Sequence, residues 1–184
     1  MAGSLIKIDE VTISSSVASV IIGGGSSGSS GLNASIDSTY DVYMLVFNNF
    51  VPTTDGHSPQ MRVTESGTPN TTANYDVAQK NLFADTTFGG GFAENQTKFL
   101  GFSAVGNSAG ESSNCIMYLF NFNNASKYSF CTWEGTGVEA DGNGAGRQGA
   151  GIFSSASACD GVQIIVSSGN IDTGSKFTLY ALKK

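Results

Sequence analysis

The feature that most constrains this chain is a succession of short β-prone runs, each closed by turn chemistry, with no sustained helical period. Two runs stand apart. Tyr40–Phe50 (YDVYMLVFNNF) and Asn114–Phe122 (NCIMYLFNF) are apolar on both parities across their middle. A strand sends alternate side chains to opposite faces, so such a run has to be covered on both sides. A small sandwich has one inner face. Its outer apolar face then needs a cover of its own.

Leu5–Glu10 and Val17–Ile22 read as early strands. Gln60–Thr64 alternates, with Met61 and Val63 on one face and Arg62 on the other. Lys98–Ala104, Tyr128–Glu134, Gly161–Ser167 and Lys176–Leu182 follow. In the last, Phe177, Leu179 and Ala181 share one face, and Lys176, Thr178, Tyr180 and Leu182 the other. One segment carries a helical pattern: in Asn74–Ala84, Asn74 is a cap residue and Tyr75, Ala78 and Leu82 fall at i, i+3 and i+7. Gly23–Gly31 (GGGSSGSSG) and Gly135–Gly151 are too poor in side chains to pack and read as long loops. Nine or ten strands with no βα alternation predict an all-β fold, an antiparallel two-sheet β-sandwich of jelly-roll-like type with long Gly-rich loops. The 184 residues suit a single domain spanning 1–184, long enough to bury roughly 70% of the surface its unfolded form exposes.

Charge narrows the partners. Only 13% of residues are charged, the net charge is −6, and the nine Lys and Arg are scattered apart from the Lys183–Lys184 pair. Without a basic stripe to neutralise phosphates, nucleic acid is not an expected partner. Apolar runs fall short of the ~20 residues that span a bilayer, so neither is a membrane. Met1–Lys7 has no basic and apolar leader pattern, and the chain is expected to be made and used as it stands.

No segment announces chemistry. His57, the single histidine, lies beside Asp55 between two prolines, with no G-x-S-x-G elbow elsewhere to supply a nucleophile. Gly144-Ala145-Gly146-Arg147-Gln148-Gly149 spells G-x-G-x-x-G, but a phosphate-binding version needs a strand before it and a helix after it. Asp141-x-Asn143 opens like a calcium loop, yet Ala145 and Ile152 occupy positions that should hold ligands. Asn33, Asn70, Asn95 and Asn124 each begin an N-x-[ST] triplet, which in so Asn-, Ser- and Thr-rich a chain arises readily by chance. Cys115, Cys131 and Cys159 match no zinc spacing; they read as small buried hydrophobes, with a Cys115–Cys131 bridge as the alternative. No catalytic residue, metal or cofactor is expected.

Asp37–Tyr43 (DSTYDVY), Arg62–Thr68 (RVTESGT), Asn74-Tyr75-Asp76, Tyr118–Ser126 (YLFNFNNAS) and the ending Phe177–Lys183 (FTLYALK) together resemble small virion structural proteins of tailed bacteriophages, notably phages of marine bacteria. The likeness runs from Asp37 onward and departs at Gly23–Gly31 and Gly135–Gly151. It implies a jelly-roll-like block on the virion exterior, associating as a homotrimer and with the major capsid protein. A head decoration protein is the expected form, because a tail fibre usually adds an anchor and a long shaft. A receptor-binding, lectin-like module is the alternative.

Overall fold

The computed structural model describes residues 4–24, 31–32, 35–85, 88–101 and 105–182, and among these it holds thirteen strands and no helix. They are β1 (Leu5–Thr12), β2 (Ser19–Gly23), β3 (Gly31–Leu32), β4 (Val42–Phe50), β5 (Pro59–Glu65), β6 (Thr68–Pro69), β7 (Tyr75–Phe83), β8 (Gly89–Gln96), β9 (Ser113–Phe120), β10 (Ser129–Val138), β11 (Gly144–Phe153), β12 (Gly161–Val166) and β13 (Lys176–Leu182). A long sheet runs β1-β13-β4-β9-β10-β11-β7-β8 and a short one β3-β2-β12-β5-β6. Every pairing is antiparallel except the two-residue contact of β2 with β3.

The expected β-sandwich is present, and its winding is that of a jelly roll. Taking β1, β2, β4, β5, β6, β9, β12 and β13 as strands one to eight, the sheets read 1-8-3-6 and 2-7-4-5. Two hairpins are added to this frame. β7–β8 is inserted before β9 and β10–β11 after it, and both extend the long sheet beyond β9. One hydrophobic core lies between the sheets, with Val20, Ile22, Met61, Val63, Val162 and Ile164 from the short sheet meeting Tyr43, Leu45, Phe47, Met117, Leu119, Phe177 and Leu179 from the long one.

The doubly apolar runs become β4 and β9, as expected. In β9, Cys115, Met117 and Leu119 point into the core while Ile116, Tyr118 and Phe120 point out. In β4, Phe47 and Phe50 are both buried although three residues apart, which strict alternation forbids. A bulge resolves it: the register to β9 slips between Phe47 and Phe50, Asn49 takes φ 52°, and its N–H donates to Asn114 Oδ1 at 3.0 Å.

Two expectations are corrected. Asn74–Ala84 is not helical; Tyr75–Phe83 is β7, paired with β11 on one side and β8 on the other. Its alternation is weak in sequence, yet Tyr75 and Val77 are buried while Ala78 and Lys80 face out. Pairing on two edges satisfies its backbone, and that outweighs an 11-residue helical pattern. Gly135–Gly151 is likewise not a loop but most of the β10–β11 hairpin, with only 139–143 as turn. Its glycines make room for aromatic rings: a Cβ at Gly149 would sit 2.3 Å from Trp133 Cζ2, and one at Gly151 2.6 Å from Phe99 Cδ1. Of Lys98–Ala104, the described part forms only a bridge between Phe99 and Met61, and residues 102–104 lie outside the described set. Most of the Gly23–Gly31 segment, Asn33, and Lys183–Lys184 also lie outside it.

The extension is tied to the jelly roll by Tyr75. Its ring meets Phe99 edge-on at 4.9 Å and Phe153 at 4.8 Å. Its hydroxyl accepts the N–H of Val63 (3.2 Å) and donates to the carbonyl of Asn70 (2.8 Å), and burial pushes its pKa up.

Candidate functional site

Register fixes what the outer face of the long sheet presents. One row crossing the strands reads Val42, Phe120, Phe130, Ile152. The next reads Tyr180, Met44, Tyr118, Thr132, Ala150, Ala78, Phe92. A third reads Thr178, Val46, Ile116, Glu134, Gln148, Lys80, Gly90. The first row is apolar as far as Ile152 and then meets Asp76 on β7; the second starts from Lys7 on β1 and is otherwise apolar apart from Thr132; the third is polar at Thr178 and again from Glu134 to Lys80. Exposure is substantial: Ile116 46%, Tyr118 38%, Phe130 37%, Ile152 37% and Phe92 89%. Large apolar side chains side by side on a solvent face are the pattern of an interaction surface.

The face is hollowed. A cleft of about 690 Å³ has a floor of small residues, Ala78, Thr132 and Ala150, with Tyr118 and Ile116 along one wall and Lys80, Glu134 and Gln148 on another. Gln148 Nε2 donates to Glu134 Oε1 at 2.8 Å, which fixes the polar wall. A second hollow of about 410 Å³, lined by Val46, Asn48, Asn114, Ile116, Glu134 and Thr136, continues it. Tyr118 and Phe120 lie on this face with ring centroids 6.4 Å apart.

At the β1 end the same face closes with charge. Glu10 Oε2 meets Lys176 Nζ at 3.0 Å and accepts from Thr178 Oγ1 at 3.0 Å. The Lys176 ammonium, and then the Thr178 hydroxyl, hold the Glu10 carboxyl below its ordinary pKa.

A smaller polar hollow of about 200 Å³ lies where Asp37–Tyr43 meets Asn121–Asn124, lined by Asp37, Tyr40, Asp41, Tyr43 and Asn121–Asn124. The Tyr43 hydroxyl accepts the Asp37 N–H and donates back to Asp37, and burial first of all pushes its pKa up to about 12. The Thr39 N–H, 2.8 Å from Asp37 Oδ1, pulls that carboxyl below its usual range. Asn123 Nδ2 donates to the Ile36 carbonyl at 3.0 Å and ties the motifs together. These bonds close turns. The D-S-T-Y-D-x-Y and N-F-N-N-A-S segments are two halves of one corner.

The residues singled out for chemistry are not assembled into a site. His57 Nδ1 lies 2.8 Å from Ser167 Oγ, a neighbour invisible in the sequence. However, Ser167 Oγ also accepts the Ser58 N–H, and Asp55 accepts the N–H of Asn107 rather than orienting the ring. The pair pins a loop to the end of β12. Gly144–Gly149 lies inside β11, where the ladders to β10 and β7 take its backbone groups; among the described residues no helix N-terminus is present to gather phosphate. Asp141 and Asn143 form the β10–β11 turn, with the Asn143 N–H donating to Asp141 Oδ1 at 3.0 Å. Among the described residues no cluster of His, Cys, Asp or Glu has metal-binding geometry. Asn70 and Asn124 accept bonds from Thr72 and Ser126 in their own turns. All three cysteines are buried and free; Cys115 pairs with Gly135 and Cys131 with Leu119 across the ladder, so β9 and β10 hold their sulfurs out of register. Burial raises the pKa of all three thiols, that of Cys115 to about 12.

The outward apolar side chains of β4 and β9 are legible in the sequence, whereas Phe88-Gly89-Gly90-Gly91-Phe92 carries no strand pattern. Two aromatics bracketing three glycines were the available signal. Compared with known proteins, the chain matches no protein-family model and no curated protein sequence.

Proposed function

We propose that this chain is a structural building block of a bacteriophage particle, a decoration (cement) protein that covers the head exterior through self-association and contacts with the major capsid protein. The observation that carries the assembly reading is the pair of outward-facing, largely apolar rows on the long sheet, Val42–Ile152 and Tyr180–Phe92. Covering such surface stabilises by about 25 cal/mol per Å² before the costs of association. The phage-like motifs supply the particle, and the trimer is the form that the resemblance implies. Particles assembled without this protein are expected to lose resistance to heat or osmotic shock, and normal particles to carry it in proportion to their capsid subunits. A handful of copies, with unchanged robustness and lost adsorption, would move the protein to the tail.

One observation favours the receptor-binding alternative: the cleft places the Tyr118 ring beside Thr132, Glu134, Gln148 and Lys80, a mixture suited to a sugar. Titration calorimetry against host-surface glycans separates the two. Binding that Tyr118→Ala abolishes would favour the module reading; an athermal titration favours the building block.

A further inference from the structure

A sheet edge left unpaired templates a further strand, so each edge of this sandwich needs an account. The short sheet ends on β3 and β6, two residues each. The long sheet ends on β1, which carries Lys7, Asp9 and Glu10 and is kinked by a register slip between Lys7 and Asp9. Those are devices that blunt an edge. β8 has neither. From Gly89 to Ala93 it runs in unbroken register with β7, carries no charge before Glu94, and has no strand on its outer side among the described residues.

Its glycines are not explained by the chain's own packing. Gly90 and Gly91 do not lie in the left-handed region, and an added Cβ would meet nothing closer than 3.5 Å and 3.4 Å respectively. Gly149, by contrast, is required by Trp133. A strand interior without side chains is weaker than it need be, and it marks a place where another group approaches closely.

We propose that β8 pairs antiparallel with β8 of a second copy about a two-fold axis through Gly91. In that register Phe92 of each copy lies opposite Gly90 of the other, and both positions face outward on the long sheet. Each exposed ring covers the other's bare backbone. The arrangement is reciprocal, as a two-fold contact must be. A cation–π contact supports it. Lys80 opposes Gly90 across β7–β8, with its Nζ 3.9 Å from where a Gly90 Cβ would stand. An incoming Phe92 ring therefore lands beside that ammonium, in cation–π reach. The pairing also joins the two outer faces, because Phe92 ends the row that runs from Lys7 through Tyr180. The contact rests on the self-association reading above and gives it a two-fold interface in place of the three-fold form that the resemblance implies.

Three variants of the full chain test it. Phe92→Lys removes the ring from an exposed position, and Gly90→Val fills the space the ring needs. Both are expected to weaken association about tenfold or more, measured by light scattering on dilution, without lowering the thermal midpoint at concentrations where the chain is monomeric. Gly91→Cys is expected to cross-link into disulfide dimers on mild oxidation, because opposed residues of an antiparallel pair stand about 4.5–5.5 Å apart. Glu94→Cys, distant from the axis, is not expected to do so. A trimer, or any oligomer whose association these substitutions leave unchanged, would overturn the β8 contact and leave self-association standing. A chain monomeric at every concentration would overturn both.

Discussion

Single residues decide where this fold tolerates change. Trp133 is fully buried, and its ring occupies the volume that a side chain at Gly149 would need. Gly149→Ala places a methyl 2.3 Å from Trp133 Cζ2 and 2.9 Å from the Ala78 carbonyl oxygen. It is expected to cost about 1–3 kcal/mol in a denaturant titration, by overpacking, whereas Gly90→Ala should be neutral or slightly stabilising. Equal effects at the two sites would mean that the Trp133 packing described above is wrong. The same residues show why the glycines of 135–151 resembled a loop in sequence. A glycine demanded by a ring from a different strand looks identical to one demanded by a turn. His57 was similar: Ser167, its hydrogen-bond partner, is 110 positions away.

Elements were legible where their own side chains carried the pattern. β13 matches its expected bounds and facing, and β4 and β9 were found because both parities are apolar. β7 does not read as a strand in sequence because its strand character comes from ladders to β11 and β8, which no local window contains. β8, with three glycines, has almost no pattern to read. At the opposite edge, β1 is held to β13 partly by Glu10, Lys176 and Thr178. The folded Glu10 carboxyl titrates below its unfolded value, so its bonds add stability above the ordinary carboxylate range, and this is lost as pH falls through that range. Lys176→Met should therefore lower the thermal midpoint relative to wild type at about pH 6, and the gap should close towards about pH 3. A gap of the same size at both pH values would show that Lys176 acts through packing alone.

At the scale of the molecule, the jelly roll accounts for eight strands and the two inserted hairpins for the width of the long sheet. The class of fold was readable because turn chemistry and short apolar runs repeat along the whole chain. The winding was not, since it depends on which distant strands pair. The outward apolar rows on β4 and β9 were half visible; their continuation through Phe130, Ile152 and Phe92 required the register. These rows and the flat Gly89–Ala93 edge of β8 lead to one central proposal, that this sandwich covers itself with copies of itself. Sedimentation equilibrium of the purified full chain over a wide concentration range tests it most directly. The account predicts a mass that rises from one chain to a defined oligomer with increasing concentration; a mass of one chain throughout would contradict it.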